Sequence, residues 1–229
     1  MGELSIPSLA EPVSVFPLPN VVLFPRAVLP LHIFEDRYRL MIREALAGDP
    51  LVAMALLCPG YQEKYYTNVA RIYPVVCVGQ ILSHEKLDDG RYNILLQGLC
   101  RARVRQERPE GQYRRAMLQA MLSREPPEKT QRQALRQKLR QAIASPPFAR
   151  ISVARKLQDL MAMDLTLGEV ADLVAYAMVQ EIQVKQDLLE QLDVAQRVEQ
   201  LLTEIQTLGR IVDLTRRHRA EWPPQQGTN

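Results

Sequence analysis

Arg101, Arg103 and Arg105 alternate with Ala102 and Val104, so on an extended strand three guanidinium groups share one face. Arg108, Arg114 and Arg115 follow closely. Such a stripe could hold phosphate groups, and RNA is the ligand class it suggests. Against that, Glu107 and Glu110 dilute the charge, and no aromatic residues alternate with the arginines to stack bases. The expectation is therefore the solvated face of an antiparallel strand, with RNA binding as the alternative. Phe24 and Phe34, with Phe16, are the second candidate set. They flank strands broken by Pro17, Pro19, Pro25 and Pro30, the kind of exposed edge that can accept an extended peptide by strand addition. The competing role for these phenylalanines is to fill a small barrel.

Other chemistry lacks its residues. Ser83 and His84 are adjacent, and on a strand adjacent side chains point to opposite faces, too far apart to share a proton. The three histidines, His32, His84 and His218, lie in unrelated contexts, none one helical turn from a second histidine or a cysteine. Phosphate-loop, dinucleotide and nucleophile-elbow glycine patterns are absent. The sequence thus predicts no catalytic residue, no cofactor and no metal, and a binding protein rather than an enzyme. Cys58, Cys77 and Cys100 never form Cys-x-x-Cys and read as buried free thiols, which suits a reducing compartment. The longest apolar run, Leu51 to Cys58, is eight residues, against ~20 for a membrane span. No secretory signal is visible, so a cytoplasmic location without membrane contact is expected. A net charge of +3 over 229 residues does not by itself argue for nucleic acid.

Two kinds of element must position these residues. Residues 13–123 read as strands: Val13–Phe16, Val21–Phe24, Val28–Phe34, Leu51–Leu57, Val75–Leu82, Tyr92 through Arg105, and Tyr113–Leu122. Asp89-Gly90 marks a hairpin, and Glu35-Asp36 opens one helix with Tyr38, Met41, Ile42, Ala45 and Leu46 on its apolar face. Pro59 to Pro74 is polar, aperiodic and loop-like. Short strands with irregular turns point to a small, partly open barrel. From residue 128 to 220 the period becomes 3.6. Leu135, Leu139 and Ile143 mark one helix and Val153, Leu157, Leu160 and Met161 a second. Thr166-Leu167-Gly168-Glu169 is a capping box that opens a third. The last helix, capped by Asp193, carries Val194, Val198, Leu201, Ile205, Leu208 and Val212 at alternating spacings of four and three. That seam can be satisfied within the bundle or by a second copy in a homodimer. Arg216 to Arg219 suit its C-terminal dipole, and Trp222-Pro223-Pro224 ends it. Residues 1–12 and 221–229 are expected to be flexible tails.

Phe16 to Pro25 (FPLPNVVLFP) and Leu29 to Glu35 (LPLHIFE) resemble the opening of the N-terminal substrate-binding domain of the ATP-dependent protease Lon. Val78-Gly79 and Gln97 to Val104 are similar to its central hairpin, although Gln80 stands where the family often has threonine. Leu173-Val174-Ala175 and Lys185 to Val194 are similar to its helical bundle. The resemblance spans residues 13–210. It implies an α+β fold, an N-terminal PUA-like partly open β-barrel with one helix followed by a C-terminal α-helical bundle. It also implies capture of unfolded or extended polypeptide, or of a specific protein partner. The chain ends at Asn229, so the Lon ATPase and Ser-Lys protease modules are not in it, and a stand-alone, non-enzymatic binding module is expected.

Overall fold

The computed structural model describes residues 7–108, 111–148 and 152–221, with side chains through Arg216. Glu110, the basic turn Arg217 to Arg219 as side chains, Trp222-Pro223-Pro224 and the outermost tail residues lie outside what is described. Among the described residues six strands precede five further helices. The first part comprises β1 (Val13–Leu18), β2 (Val28–Ile33), α1 (Asp36–Ala47), β3 (Leu51–Leu56), β4 (Val75–Lys86), β5 (Tyr92–Arg108) and β6 (Arg114–Met121). Then come α2 (Lys129–Ala144), α3 (Ser152–Met161), α4 (Leu167–Met178), α5 (Ile182–Glu190) and α6 (Val194–Glu221).

The sheet runs β2-β5-β4-β3-β1-β6, and β6 returns to pair with β5. Five strands therefore close into a ring, while β2 stands outside it as an appended edge. β1 and β3 are parallel, and every other pairing is antiparallel. β5 can serve three neighbours because it is 17 residues long and its ladders are shifted by bulges. Its first half pairs β2, and its second half pairs β6.

Alternation then decides what fills the ring. Val13, Val15, Ala53, Ala55, Val76, Val78, Ala102, Ala116 and Leu118 form a cluster drawn from the ring strands alone. Small side chains suit a five-stranded ring, whose interior is narrow. The phenylalanines do not fill it. Phe16 and Phe24 belong to a second, larger cluster on the outer face of the sheet, continuous with α1 and the bundle helices. That is why β3 is buried at all six positions.

Val21–Phe24, expected as a strand, is irregular chain. Val22, Leu23 and Phe24 are buried in succession without belonging to any of the ladders. The segment crosses over β5 at Gly98, where the Arg26 amide donates to the Gly98 carbonyl at 2.8 Å and the Gly98 amide donates to Ala27 at 2.9 Å. Arg26 takes the left-handed conformation (φ 66°) to make the turn. A Cβ at Gly98 would run into the Phe24 carbonyl. The Asp89-Gly90 turn is as expected: Gly90 has φ 82°, its amide donates to Leu87, and the Leu87 amide donates to Arg91.

In the bundle, Thr166 and Glu169 make the reciprocal capping-box bonds, and the Gln196 amide donates to Asp193 at 3.1 Å. Val194, Val198, Leu201 and Ile205 are buried against the other helices. Val153 is more open than its spacing suggested, because Ala154 takes the inward position on α3. α5 is an additional helix that the period did not separate. No helix among the described residues is long and apolar enough to cross a membrane.

Candidate functional site

The arginine stripe is divided by depth. Arg101 is buried, with its side chain 3% exposed. Nη1 and Nη2 donate to the two carboxylate oxygens of Asp172 at 2.8 and 2.6 Å, and Nε donates to the Leu189 carbonyl at 2.8 Å. Arg103 and Arg105 are exposed, and Arg105 bonds Gln119 on β6. The expectation of one solvated face is therefore corrected at its first member. The α4–α5 corner covers β5 at Arg101 and ends before Arg103.

Arg197 on α6 completes this cluster. It is fully buried, donates to the Gln191 carbonyl and to Ser123 Oγ at 3.1 Å each, and stands 3.5 Å from Asp172. Burial pulls its guanidinium down to about 10, opposed by the Asp172 charge. α4 meets the barrel through a polar stripe one helical face wide. Glu169 accepts from Arg26 Nε at 2.5 Å, Asp172 accepts from Arg101, and the Tyr176 hydroxyl donates to the Val28 carbonyl at 3.3 Å. α5 does the same with Gln186, which donates to the Val75 carbonyl at 3.0 Å, and with Gln183, which accepts from the Tyr73 hydroxyl. The groove between barrel and bundle, of about 290 Å³, is bordered by Pro25, Leu99 and the exposed Leu122 as well as by these ions. Sequence reasoning did not single out Asp172 or Arg197. A carboxylate inside the apolar run of α4 was the available signal, since a buried charge requires a partner.

A different surface is open. β2 bonds β5 on one side only, and Pro30, which has no amide to donate, sits on this edge strand. Pairing across β2, β5 and β4 brings Pro30, Leu95 and Ser83 into one row on the face opposite the Phe16 cluster, with Val28, Gln97 and Gln80 in the next. Val28 is 40% exposed, Leu95 40%, and Leu82, the extra residue of a bulge, 52%. Phe34 extends this strip beyond β2 at 61% exposure, stacked on His32 with ring centroids 6.3 Å apart. His32 is held in turn by Asn93 and Arg91. Phe24, the other aromatic candidate, is fully buried beneath the crossing and is removed from any external surface.

Nucleophilic groups are poorly placed. Cys77 and Cys100 are buried, Cys58 is half-buried, and all three thiols are pushed up by burial, Cys100 to about 11. Among the described residues no three His, Cys, Asp or Glu side chains converge as metal donors.

Comparison with known proteins fits this geometry. Residues 12–207 match the ATP-dependent protease La (LON) substrate-binding domain. The chain belongs to that family. It is 28% identical over 200 residues to the Lon protease of Desulfosudis oleivorans, covering 86% of this chain and 24% of that one. To Lon protease 1 of Syntrophobacter fumaroxidans it is 30% identical over 196 residues, covering 84% and 23%. The chain thus spans about a quarter of the length of these relatives. The N-terminal domain of Mycobacterium avium complex Lon protease superposes with a TM-score of 0.67 at 19% identity, covering 86% of this chain and 98% of that one. A Lon N-terminal domain protein from Xanthomonas campestris gives 0.61 at 20%, covering 84% and 98%. The Lon N-terminal fold is therefore that of this chain, a barrel-like sheet with a helical bundle behind it.

Proposed function

We propose that this Lon-type substrate-binding domain is a non-catalytic recognition module in the cytoplasm that captures unfolded or extended polypeptide through the β2 edge and the sheet face beside it, opposite the Phe16 cluster. The observation that carries the reading is the exposed apolar strip Val28, Leu82 and Leu95 on a sheet whose outer strand has one side unpaired. Apolar side chains gathered on a sheet edge are an adhesive surface that a monomer would otherwise hide. An extended segment laid along β2 gains main-chain hydrogen bonds, and alternate side chains of that segment reach the strip. A folded protein has few free strands to offer, so the surface selects for unfolded chain. No nucleotide or metal is required for binding of this kind.

The RNA alternative is weakened by the burial of Arg101, which leaves Arg103 and Arg105 as the exposed pair. The experiment is a binding titration with a permanently unfolded polypeptide. Val28→Asp combined with Leu95→Asp is expected to weaken binding at least roughly tenfold, with an unchanged melting temperature because both side chains are exposed. Unaltered affinity in that variant, together with loss of binding in Arg103→Ala/Arg105→Ala and a steep salt dependence, would transfer the function to the arginines.

A further inference from the structure

Where α1 passes the turn between β4 and β5, a cleft of about 340 Å³ opens between the helix, the end of the hairpin and Gln112. Asp36, Arg39, Leu40 and Arg43 form its helix wall, at the spacing that puts them on one face of α1. Lys86, from the end of β4, forms the facing wall. It is paired with Tyr92 of β5, so both stand on the sheet face that α1 covers. This is the face opposite Val28 and Leu95, and the cleft is separate from the strip proposed to capture polypeptide.

The cleft holds positive charge that the chain itself does not neutralise. Arg39 is fixed: Nε donates to the Gly90 carbonyl at 2.9 Å, Nη2 to the Asp89 carbonyl at 3.2 Å and Nη1 to Asp36 at 2.8 Å. Gly90 permits this, because a Cβ there would run into Nη2. Three of the five guanidinium N–H donors are so used, leaving two. Arg43 and Lys86 are exposed, and their side chains have no hydrogen-bond or ion-pair partner among the described residues. Asp36 is the one carboxylate among the described residues that border the cleft, and Asp89 in the turn is engaged by Arg91. Arg39, Arg43 and Lys86 against Asp36 therefore leave two positive charges. The floor is apolar, made by the buried Tyr92 and the half-buried Leu40.

We infer that this cleft is a binding site for a phosphate monoester. Its dianion matches the two unmatched charges, and its three terminal oxygens accept from the free donors of Arg39, Arg43 and Lys86. A carboxylate carries one charge and leaves one cation unmatched. The cleft has the size of a site for a small organic ligand, so the carbon stem of the ester lies on Tyr92 and Leu40. The ester is carried either by a phosphorylated side chain of a polypeptide or by a free small molecule.

Calorimetric titration of the full chain at low salt tests this, with phenyl phosphate against benzoate, which share a stem and differ in charge. Phenyl phosphate is expected to bind, and benzoate to bind at least roughly tenfold more weakly. Arg43→Ala combined with Lys86→Ala should weaken phenyl phosphate binding at least roughly tenfold with an unaltered melting temperature, since neither side chain holds the fold. Lys129→Ala combined with Arg140→Ala removes the same charge from exposed positions on α2 and should change nothing. AMP and a phosphoserine peptide, the latter measured against its unphosphorylated form, separate the two sources, and the tighter of them names the carrier. No binding of any phosphate ester, equal affinity for benzoate, or equal losses in the two double variants would overturn the site.

Discussion

At 4% side-chain exposure the Asp172 carboxylate has lost almost all its water, and its charge is matched by two donors from Arg101 and by Arg197 at 3.5 Å. Removing one partner from such a cluster leaves the others buried and unmatched. Asp172→Ala is therefore expected to cost about 3–5 kcal/mol, measured by denaturant unfolding. An apolar swap of Asp172 together with both arginines should recover much of the loss. The thiols give a second residue-level prediction. Burial holds Cys100 at about 11 and Cys77 well above its ordinary value, so an unfolded chain releases these protons at lower pH than the native one. The unfolded state then binds fewer protons through that window, and these two groups remove stability as pH rises through it. Cys77→Ala/Cys100→Ala should flatten that alkaline decline in a pH series of melting temperatures. Which arginine is buried could not be read from spacing. Arg101, Arg103 and Arg105 are equivalent by alternation, and only the placement of the α4–α5 corner over β5 distinguishes them.

Elements whose determinants are local were legible, and those fixed by a crossing were not. The capping box at Thr166 and Glu169 and the turn at Gly90 are chemistry within a few residues, and both form as the sequence indicates. Thr166→Ala should cost about 1 kcal/mol of unfolding free energy. Val21–Phe24 misled because four consecutive apolar residues suit a strand as well as any buried chain. Its path is set by Gly98, 70-odd residues away in the sequence, and by the left-handed turn at Arg26. Gly98→Ala is expected to prevent native folding, visible as loss of cooperative melting, since the clash is with backbone that cannot rotate away. α5 escaped notice because its inward face mixes Gln186 with Leu188 and Leu189, so no clean apolar period marks it.

For the whole molecule, the family and the barrel-plus-bundle architecture were legible because they are written in many short matches along the chain. The proposed recognition surface was only half legible. Phe34 is exposed, but Phe24 is core, and the strip of Val28, Leu82 and Leu95 exists only once β2, β5 and β4 lie side by side. The closure of five strands into a ring uses up most of their edges and leaves β2, with the end of β4 beyond Ile81, bonded on one side. The most direct test compares the affinity of the chain for one polypeptide in two states, kept unfolded by alkylation of its cysteines and natively folded. The account predicts binding to the unfolded form, with the folded form bound at least roughly tenfold more weakly. Equal affinity for both forms, or none for either, would contradict it.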